Sequence, residues 1–396
     1  MYIFRRHNYL IMEQEFTTST GYKIFYGAVA GAAFVVSVYL FTNNSLNANG
    51  AGIIFAIILL VVAIAIAMNL YKRKFILFDD SVMYTSIWGS KELLNNNVKG
   101  FRLGEKAIFI EPLETGYSRI MVRDYSSIGD IKDLKDALGS RFTDLNKAEF
   151  EAEKEEILKD ADIGVTEGDR ETVFKNTRKY TMVFNFIGMG LFFITIYFHG
   201  DNFWLRLLAI IYPLAGLALM KISKGLVRLY AKKNSAYPSI LTGLFFSAMI
   251  TLLMAFTGIN ILNYDNVWAP ALIVFMAVAW ALYYLAIKLA KAPFLHQIVF
   301  VILISAGYAF GGTVLANSIF DQSKPQVFPT TITDHHITRG SKSTTYHIII
   351  AGWEKHPEGE NISVSPSFYD AAEVGSKVNV NLKKGLFNVP WYFISQ

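Results

Sequence analysis

Seven long apolar runs, with roughly a hundred polar residues separating the second from the third, constrain this chain more than any other feature. They are Phe25 to Thr42, Ala51 to Tyr71, Thr181 to Phe198, Trp204 to Met220, Ile240 to Phe256, Val267 to Ile287 and Gln297 to Ala316. At the helical rise per residue, each is long enough to approach or cross a hydrocarbon core of about 30 Å. The pattern predicts an α-helical membrane protein with seven transmembrane helices, two before the polar insert and five after it. Composition agrees: 53% of the residues are hydrophobic and 17% charged, outside the usual balance of a soluble globular protein.

The formal charge of +5 does not mark a nucleic-acid-binding protein. Residues 72–178 hold 18 Lys and Arg against 21 Asp and Glu, and residues 318–396 hold 7 against 7. The excess sits in short connections such as Lys221, Lys224, Arg228, Lys232 and Lys233. There it orients helices rather than forming the basic patch that nucleic acid requires. With no cysteine in the chain, disulfides, thiolate metal sites and thiol nucleophiles are excluded together. The first run exceeds a signal-peptide h-region, and no small-residue cleavage pattern follows Asn43, Asn44 and Ser45, so it is expected to be retained. Met12 is as good a start as Met1.

The basic residues give an orientation. Arg5, Arg6 and Lys23 precede the first run, the connection from Asn43 to Gly50 is uncharged, and Lys72, Arg73 and Lys74 follow the second. A hairpin with both ends in the cytoplasm results. Lys221 to Lys233 and Lys288 to Lys291 then lie inside, with Gly200 to Phe203 and Asn260 to Asn266 outside. Arg206, near the start of the fourth run, can snorkel to head groups at little cost. The expected organisation is a cytoplasmic segment 1–24, a helical hairpin 25–71, a cytoplasmic domain 72–145, a charged helical linker 146–178, five helices in 179–317 and an external domain 318–396. The location implied is a bacterial cytoplasmic (inner) membrane, with the N-terminus cytoplasmic and the C-terminal domain extracytoplasmic.

In the insert, Lys74 to Phe78, Val82 to Trp88, Val98 to Leu103, Ala107 to Ile110 and Arg119 to Val122 are strand-like. Asp79, Asp80 and Ser81 form the first turn. Ile131, Leu134 and Leu138 recur at helical spacing behind Ser127 and Asp130, a capping-box pattern. A small α+β domain, several antiparallel strands closed by one helix, is predicted. Over residues 25–145 this layout resembles bacterial multi-pass membrane proteins that carry a cytoplasmic pleckstrin-homology-like domain after a two-helix hairpin. The resemblance is one of architecture and implies an assembly or sensing module. Lipid-binding relatives of that fold use a basic strand loop, whereas the turn here is acidic, which disfavours head groups at that place.

Lys147 to Asp160 reads as a solvated spacer helix, with Glu153 exposed. The carboxylates between Asp162 and Asp169 lack the spacing of a calcium loop, and Thr166 with Asp169 instead has the pattern of a helix cap. The cores of the runs contain no Asp, Glu, Lys or Arg. Their polar content is Asn69, Asn185, Thr195, Ser247, Thr251, Ser305 and Tyr308, which predicts interhelical hydrogen bonds. Gly27 with Gly31, and Gly307 with Gly311, have the spacing of close helix packing. Pro213 is expected to kink its helix, and Pro270 to sit in a first turn. His199, His296, Asp201 and Asp265 lie at span ends or in outer loops, so no protease pair is present within the runs.

Past Ala316 the apolar period becomes two. Gln326 to Ile337 and Ser343 to Ala351 flank a turn at Arg339, Gly340, Ser341 and Lys342. Asn361 to Ser365 and Lys377 to Leu382 add strands, and Trp353, Phe368, Tyr369, Trp391 and Tyr392 supply bulk for the core of an all-β sandwich or barrel. The ending Gly385, Leu386, Pro390, Trp391, Tyr392 resembles C-terminal domains of bacterial membrane proteins. His335, His336 and His347 are the candidates for chemistry here. Adjacent strand residues point to opposite faces, and pairing His347 with Asp334 gives two ligands where a catalytic zinc needs three. No catalytic, cofactor or metal site is therefore assigned. The expected partners are the lipid bilayer and a protein partner or second copy, with no nucleic acid. A non-enzymatic scaffold, sensor or assembly subunit is the expected role, and a transporter or channel for a neutral or lipid-like substrate is the alternative.

Overall fold

The computed structural model describes residues 14–42, 51–198, 202–340 and 344–396. The alternative start, the uncharged connection from Asn43 to Gly50, most of the loop from Gly200, His199, Asp201, Ser341 and Lys342 lie outside them. Two compact units divide the chain, one ending at Ala152 and one running from Glu153 to Gln396.

In the first unit, helices α1 (Thr20–Thr42) and α2 (Ala51–Lys72) form a hairpin. Both are apolar around their whole circumference, as lipid contact demands. Ser37, deep between them, donates its hydroxyl to the carbonyl of Ala56 at 2.8 Å. Strand β1 (Gln14–Thr17) enters the hairpin and β2 (Lys74–Leu77) leaves it. They pair antiparallel, Gln14 with Leu77 through Thr17 with Lys74, so both ends of the hairpin lie together. With β3 (Ser81–Ser86) and β4 (Gly89–Leu94) they make a four-stranded sheet in order β1-β2-β3-β4. Strands β5 (Val98–Leu103), β6 (Ala107–Pro112) and β7 (Ile120–Arg123) make a three-stranded one. Helix α3 (Ile131–Arg141) packs Leu134 and Leu138, both 0% exposed, into the core with Leu77, Ile108, Ile120 and Val122. Burying each leucine contributes about 2 kcal/mol.

Three expectations for this unit need correction. The domain draws β1 from ahead of the hairpin, outside residues 72–145, and it contains β4, whose first four residues are exposed and give no apolar alternation. The capping box is not formed. Asp130 adopts a left-handed backbone (φ 54°) with no side-chain cap, and Ser127 instead donates to the carbonyl of Asp124 at 2.6 Å. Gly27 and Gly31 do not pack against a helix, since a Cβ at either would meet nothing within 4 Å.

Helix α4 (Leu145–Lys159) contains the boundary between the units. In the second unit it leads through Asp162 to α5 (Glu167–Phe198), α6 (Phe203–Ile222), α7 (Leu241–Thr257), α8 (Trp268–Tyr283, continued by a π-helical segment Tyr284–Leu289) and α9 (Phe294–Ile319). Thr166 and Asp169 form the expected reciprocal cap of α5: the Asp169 N–H donates to Thr166 Oγ1 at 3.1 Å, and the Thr166 N–H to Asp169 Oδ2 at 3.1 Å. The Thr166 hydrogen bonds hold the Asp169 carboxyl below its ordinary value. Six helices among the described residues are long and apolar enough to cross a membrane. The seventh apolar helix, α7, has 17 residues and falls short of that length.

The bundle packs closely. A Cβ on Gly311 would lie 2.4 Å from the Thr251 carbonyl carbon, so the Gly307 and Gly311 face does bring two helices together. Asn185 bridges helices as expected, donating to the Ser239 carbonyl at 2.7 Å and accepting from the Gly243 N–H at 2.8 Å. Thr195, Ser247 and Thr251 bond carbonyls of their own helices instead, which satisfies a hydroxyl without a partner helix. Tyr308 donates to the Ile210 carbonyl at 2.8 Å, in the turn that Pro213 deprives of an N–H. The cavity left between α6, α7, α8 and α9 is about 10 Å3.

The C-terminal residues form one open six-stranded antiparallel sheet, a half-barrel rather than a sandwich or closed barrel. Its strands are β9 (Gln326–Arg339), β10 (Thr344–Ile350), β11 (Glu360–Val364), β12 (Lys377–Lys383), β13 (Trp391–Ser395) and the two-residue β8 (Asn260–Ile261) from the α7–α8 connection. The order is β11-β10-β9-β12-β13-β8. The 14-residue β9 pairs its first half with β12 and its second half with β10. One long strand thereby serves both halves, and no second sheet is needed to cover Ile332, Ile348, Trp353, Val380 and Tyr392.

Candidate functional site

The densest polar arrangement in the second unit lies where the half-barrel meets the end of the helical bundle. Asn317, in the last turn of α9 and 0% exposed, uses both ends of its amide. Its Oδ1 accepts from the Phe387 N–H at 2.9 Å and its Nδ2 donates to the Val389 carbonyl at 2.8 Å. Its backbone carbonyl accepts from Leu386 at 3.0 Å. Gly385 is required beside it. Its φ is +77°, and a Cβ would lie 2.3 Å from Asn317 Oδ1.

Two residues beyond α9, the Asp321 side chain is 2% exposed. Its Oδ1 accepts from the Ser323 N–H at 2.7 Å, and its Oδ2 from the Trp391 indole N–H at 2.8 Å and the Gly385 N–H at 3.0 Å. Lys383 approaches at 3.7 Å. Burial alone would raise this carboxyl. The N–H donors of Ser323, Trp391 and Gly385 outweigh burial and hold it below the ordinary value. Trp391, read from the sequence as core of the β domain, is instead half-buried at this joint and packs with Val314, Leu315, Val267 and Val389.

Strand pairing completes the joint. Trp391 opposes Ile261 and Tyr392 opposes Asn260, the Leu262 N–H donates to the Pro390 carbonyl at 2.8 Å, and Asn266 donates to the Asn388 carbonyl at 2.8 Å. Arg206, near the start of α6, donates to the Gly258 carbonyl at 2.7 Å and so ties the same end of the bundle. The residues involved, Gly385 to Tyr392, are the ending singled out in the sequence. Its partners β8 and Asn317 were not foreseen, because a two-residue strand and one helical Asn leave no local pattern.

At the opposite end of the bundle, Glu153 is not a free spacer residue. Its Oε2 accepts from the Ser235 hydroxyl at 2.6 Å and the Ala236 N–H at 2.7 Å. Gln297, 1% exposed, closes the same connection by exchanging hydrogen bonds with the backbone of Tyr230 at 2.9 and 2.8 Å.

The three histidines do not converge. His335 stacks on Tyr369 with ring centroids 4.8 Å apart and places Nδ1 3.2 Å from the Ala372 carbonyl. On the other face His336 and His347 stack at 4.9 Å, within 6° of parallel. His347 opposes His336 and not Asp334, a register two residues from the expected one. Among the described residues no group of three His, Cys, Asp or Glu could hold a metal ion. Comparison with family models, with curated proteins and with solved structures returns no match for this chain.

Proposed function

We propose that this is an integral membrane scaffold or sensor in which a cytoplasmic module and an external β domain are joined through seven membrane-spanning helices. One observation carries the reading: β8, a strand from the α7–α8 connection, is sewn into the sheet of the C-terminal domain. A domain tethered by α9 alone would be free to swing, whereas one paired to a second connection moves with the helices. Supporting the finer parts of the reading, the insert together with β1 has two antiparallel sheets of four and three strands closed by α3, the arrangement expected of a pleckstrin-homology-like module. Helix α7, at 17 residues, spans roughly 25 Å. It is included as a span because its ends reach the connections at both ends of the bundle, Ile240 bonding Arg228 at 3.0 Å and Gly258 bonding Arg206 at 2.7 Å.

The test is hydrogen exchange on the full chain with Leu262→Pro, which removes the N–H that donates to the Pro390 carbonyl and so loosens β8 from β13. Coupling predicts faster exchange in the connection 224–240 at the far end of α6 and α7 as well as in β13. Exchange altered in the β domain alone would overturn the coupling.

A further inference from the structure

Between α1 and α2, at the end where β1 and β2 meet, lies an open groove of about 800 Å3, within the size range of ligand sites. Small residues make its walls: Gly27, Ala30 and Gly31 on α1, with Ala63 and Ala67 on α2. Because a Cβ at Gly27 or Gly31 would meet only open space, these glycines widen a slot and do not seat a helix. From Phe34 to Lys23 the slot follows α1 for roughly 16 Å, about half a hydrocarbon core. That is the depth of one leaflet.

Cations crowd the mouth of the slot. Lys74 is paired with Glu15 at 2.8 Å. Lys23 finds only the Thr17 hydroxyl, at 3.3 Å, among the described residues. Arg73 is the unusual member. It is 8% exposed and lines the groove, yet among the described residues its guanidinium donates only to neutral acceptors: the Ser127 hydroxyl at 2.7 Å, the Asp124 carbonyl at 2.9 Å and the Arg123 carbonyl. Its Nε has no partner. A buried guanidinium with no counter-charge among the described residues is costly, and with its shielded Nε also unpartnered it leaves a charge that an anion at the mouth would offset. The mouth is therefore complementary to an anion and the slot beneath it to a hydrocarbon chain.

We propose that the α1–α2 groove binds an anionic phospholipid, its phosphate at Arg73 and Lys23 and one acyl chain along Gly27 and Gly31. The proposal rests on reading α1 and α2 as bilayer spans. It also places lipid recognition at the junction of hairpin and domain, away from the acidic turn at Asp79 and Asp80. A zwitterionic head group carries its own cation toward Arg73 and Lys23, so charge favours a net anion.

The full-length chain, purified in a maltoside detergent, is titrated with phosphatidylglycerol, phosphatidylcholine or glycerol phosphate, and bound ligand is counted by native mass spectrometry. Phosphatidylglycerol should bind about tenfold more tightly than phosphatidylcholine, and glycerol phosphate, lacking chains, should not be retained. Gly31→Leu fills the slot without a backbone clash. It should weaken binding of both lipids by a similar factor, since the chain is blocked and the mouth is intact, without lowering the lipid-free melting temperature. Lys23→Gln, at an exposed position, should narrow the preference between the two lipids even if Gly31→Leu fails to fold. Equal binding of the two lipids, or retention of glycerol phosphate alone, overturns the groove proposal. A chain that stays in aqueous solution without detergent overturns the spans and the groove together.

Discussion

Asp321 shows how one side chain can hold a joint together. Its carboxylate collects three N–H donors in a site closed to water. Its pKa in the folded state is depressed, so the unfolded chain binds the proton more readily, and the resulting stability is complete above the ordinary value of 3.8 and lost as pH falls through the lower folded value. Asp321→Asn should cost about 1 to 3 kcal/mol at pH 7. Urea unfolding of the two proteins should then converge as the pH falls below the ordinary carboxyl value and through the lower folded one. A gap that persists there would mean that packing, and not charge, holds the joint. Glu153 makes a similar point at the other end of the bundle. It accepts two hydrogen bonds from the Ser235 and Ala236 turn, so Glu153→Ala should cost about 1 to 2 kcal/mol and accelerate proteolysis between residues 232 and 238. A variant indistinguishable from wild type would restore the spacer reading.

At the scale of elements, what the sequence made legible is what depends on local period. The apolar runs, the buried face of α3 and the cap of α5 are of this kind. Thr166→Ala should therefore let the Asp169 carboxyl rise toward its ordinary value and speed exchange of the first α5 amides, as NMR titration would show. Elements created by distant partners were not legible. Strand β1 is four residues whose register comes from Leu77 to Lys74, and β8 is two residues recruited by Trp391 and Tyr392. The glycine pairs make the limit plain. Gly27 with Gly31 and Gly307 with Gly311 share one spacing, yet the second pair abuts α7, Gly311 at the Thr251 backbone and Gly307 at the Leu252 side chain, and the first opens onto the groove. The difference lies in the neighbouring helix, which spacing along one helix does not specify. The histidines repeat the lesson, since a register shift of two residues moves His347 from Asp334 to His336.

For the whole molecule, crossing parity decides which parts share a face of the membrane. A hairpin whose ends are joined by β1 and β2 returns the chain to its starting side. On the proposed count of seven spans, five further crossings would carry it over. Whether α7 crosses is the sensitive step, because its 17 residues are at the short limit for a span. The sheet sets the side of one of its ends: β8 follows α7 directly and pairs with β13, so the α7–α8 connection must share a compartment with the C-terminal domain. Basic residues favour the opposite face for the α6–α7 connection, with Lys224, Arg228, Lys232 and Lys233. The absence of cysteine from the chain makes the test clean. Single variants Glu114→Cys, Lys233→Cys, Asn263→Cys and Gln396→Cys can each be probed in intact cells with a membrane-impermeant maleimide. Asn263→Cys and Gln396→Cys should label, whereas Glu114→Cys and Lys233→Cys should label only after permeabilisation. Labelling of Lys233→Cys and Asn263→Cys from the same side would show that α7 does not cross, and the count of seven spans would then be wrong.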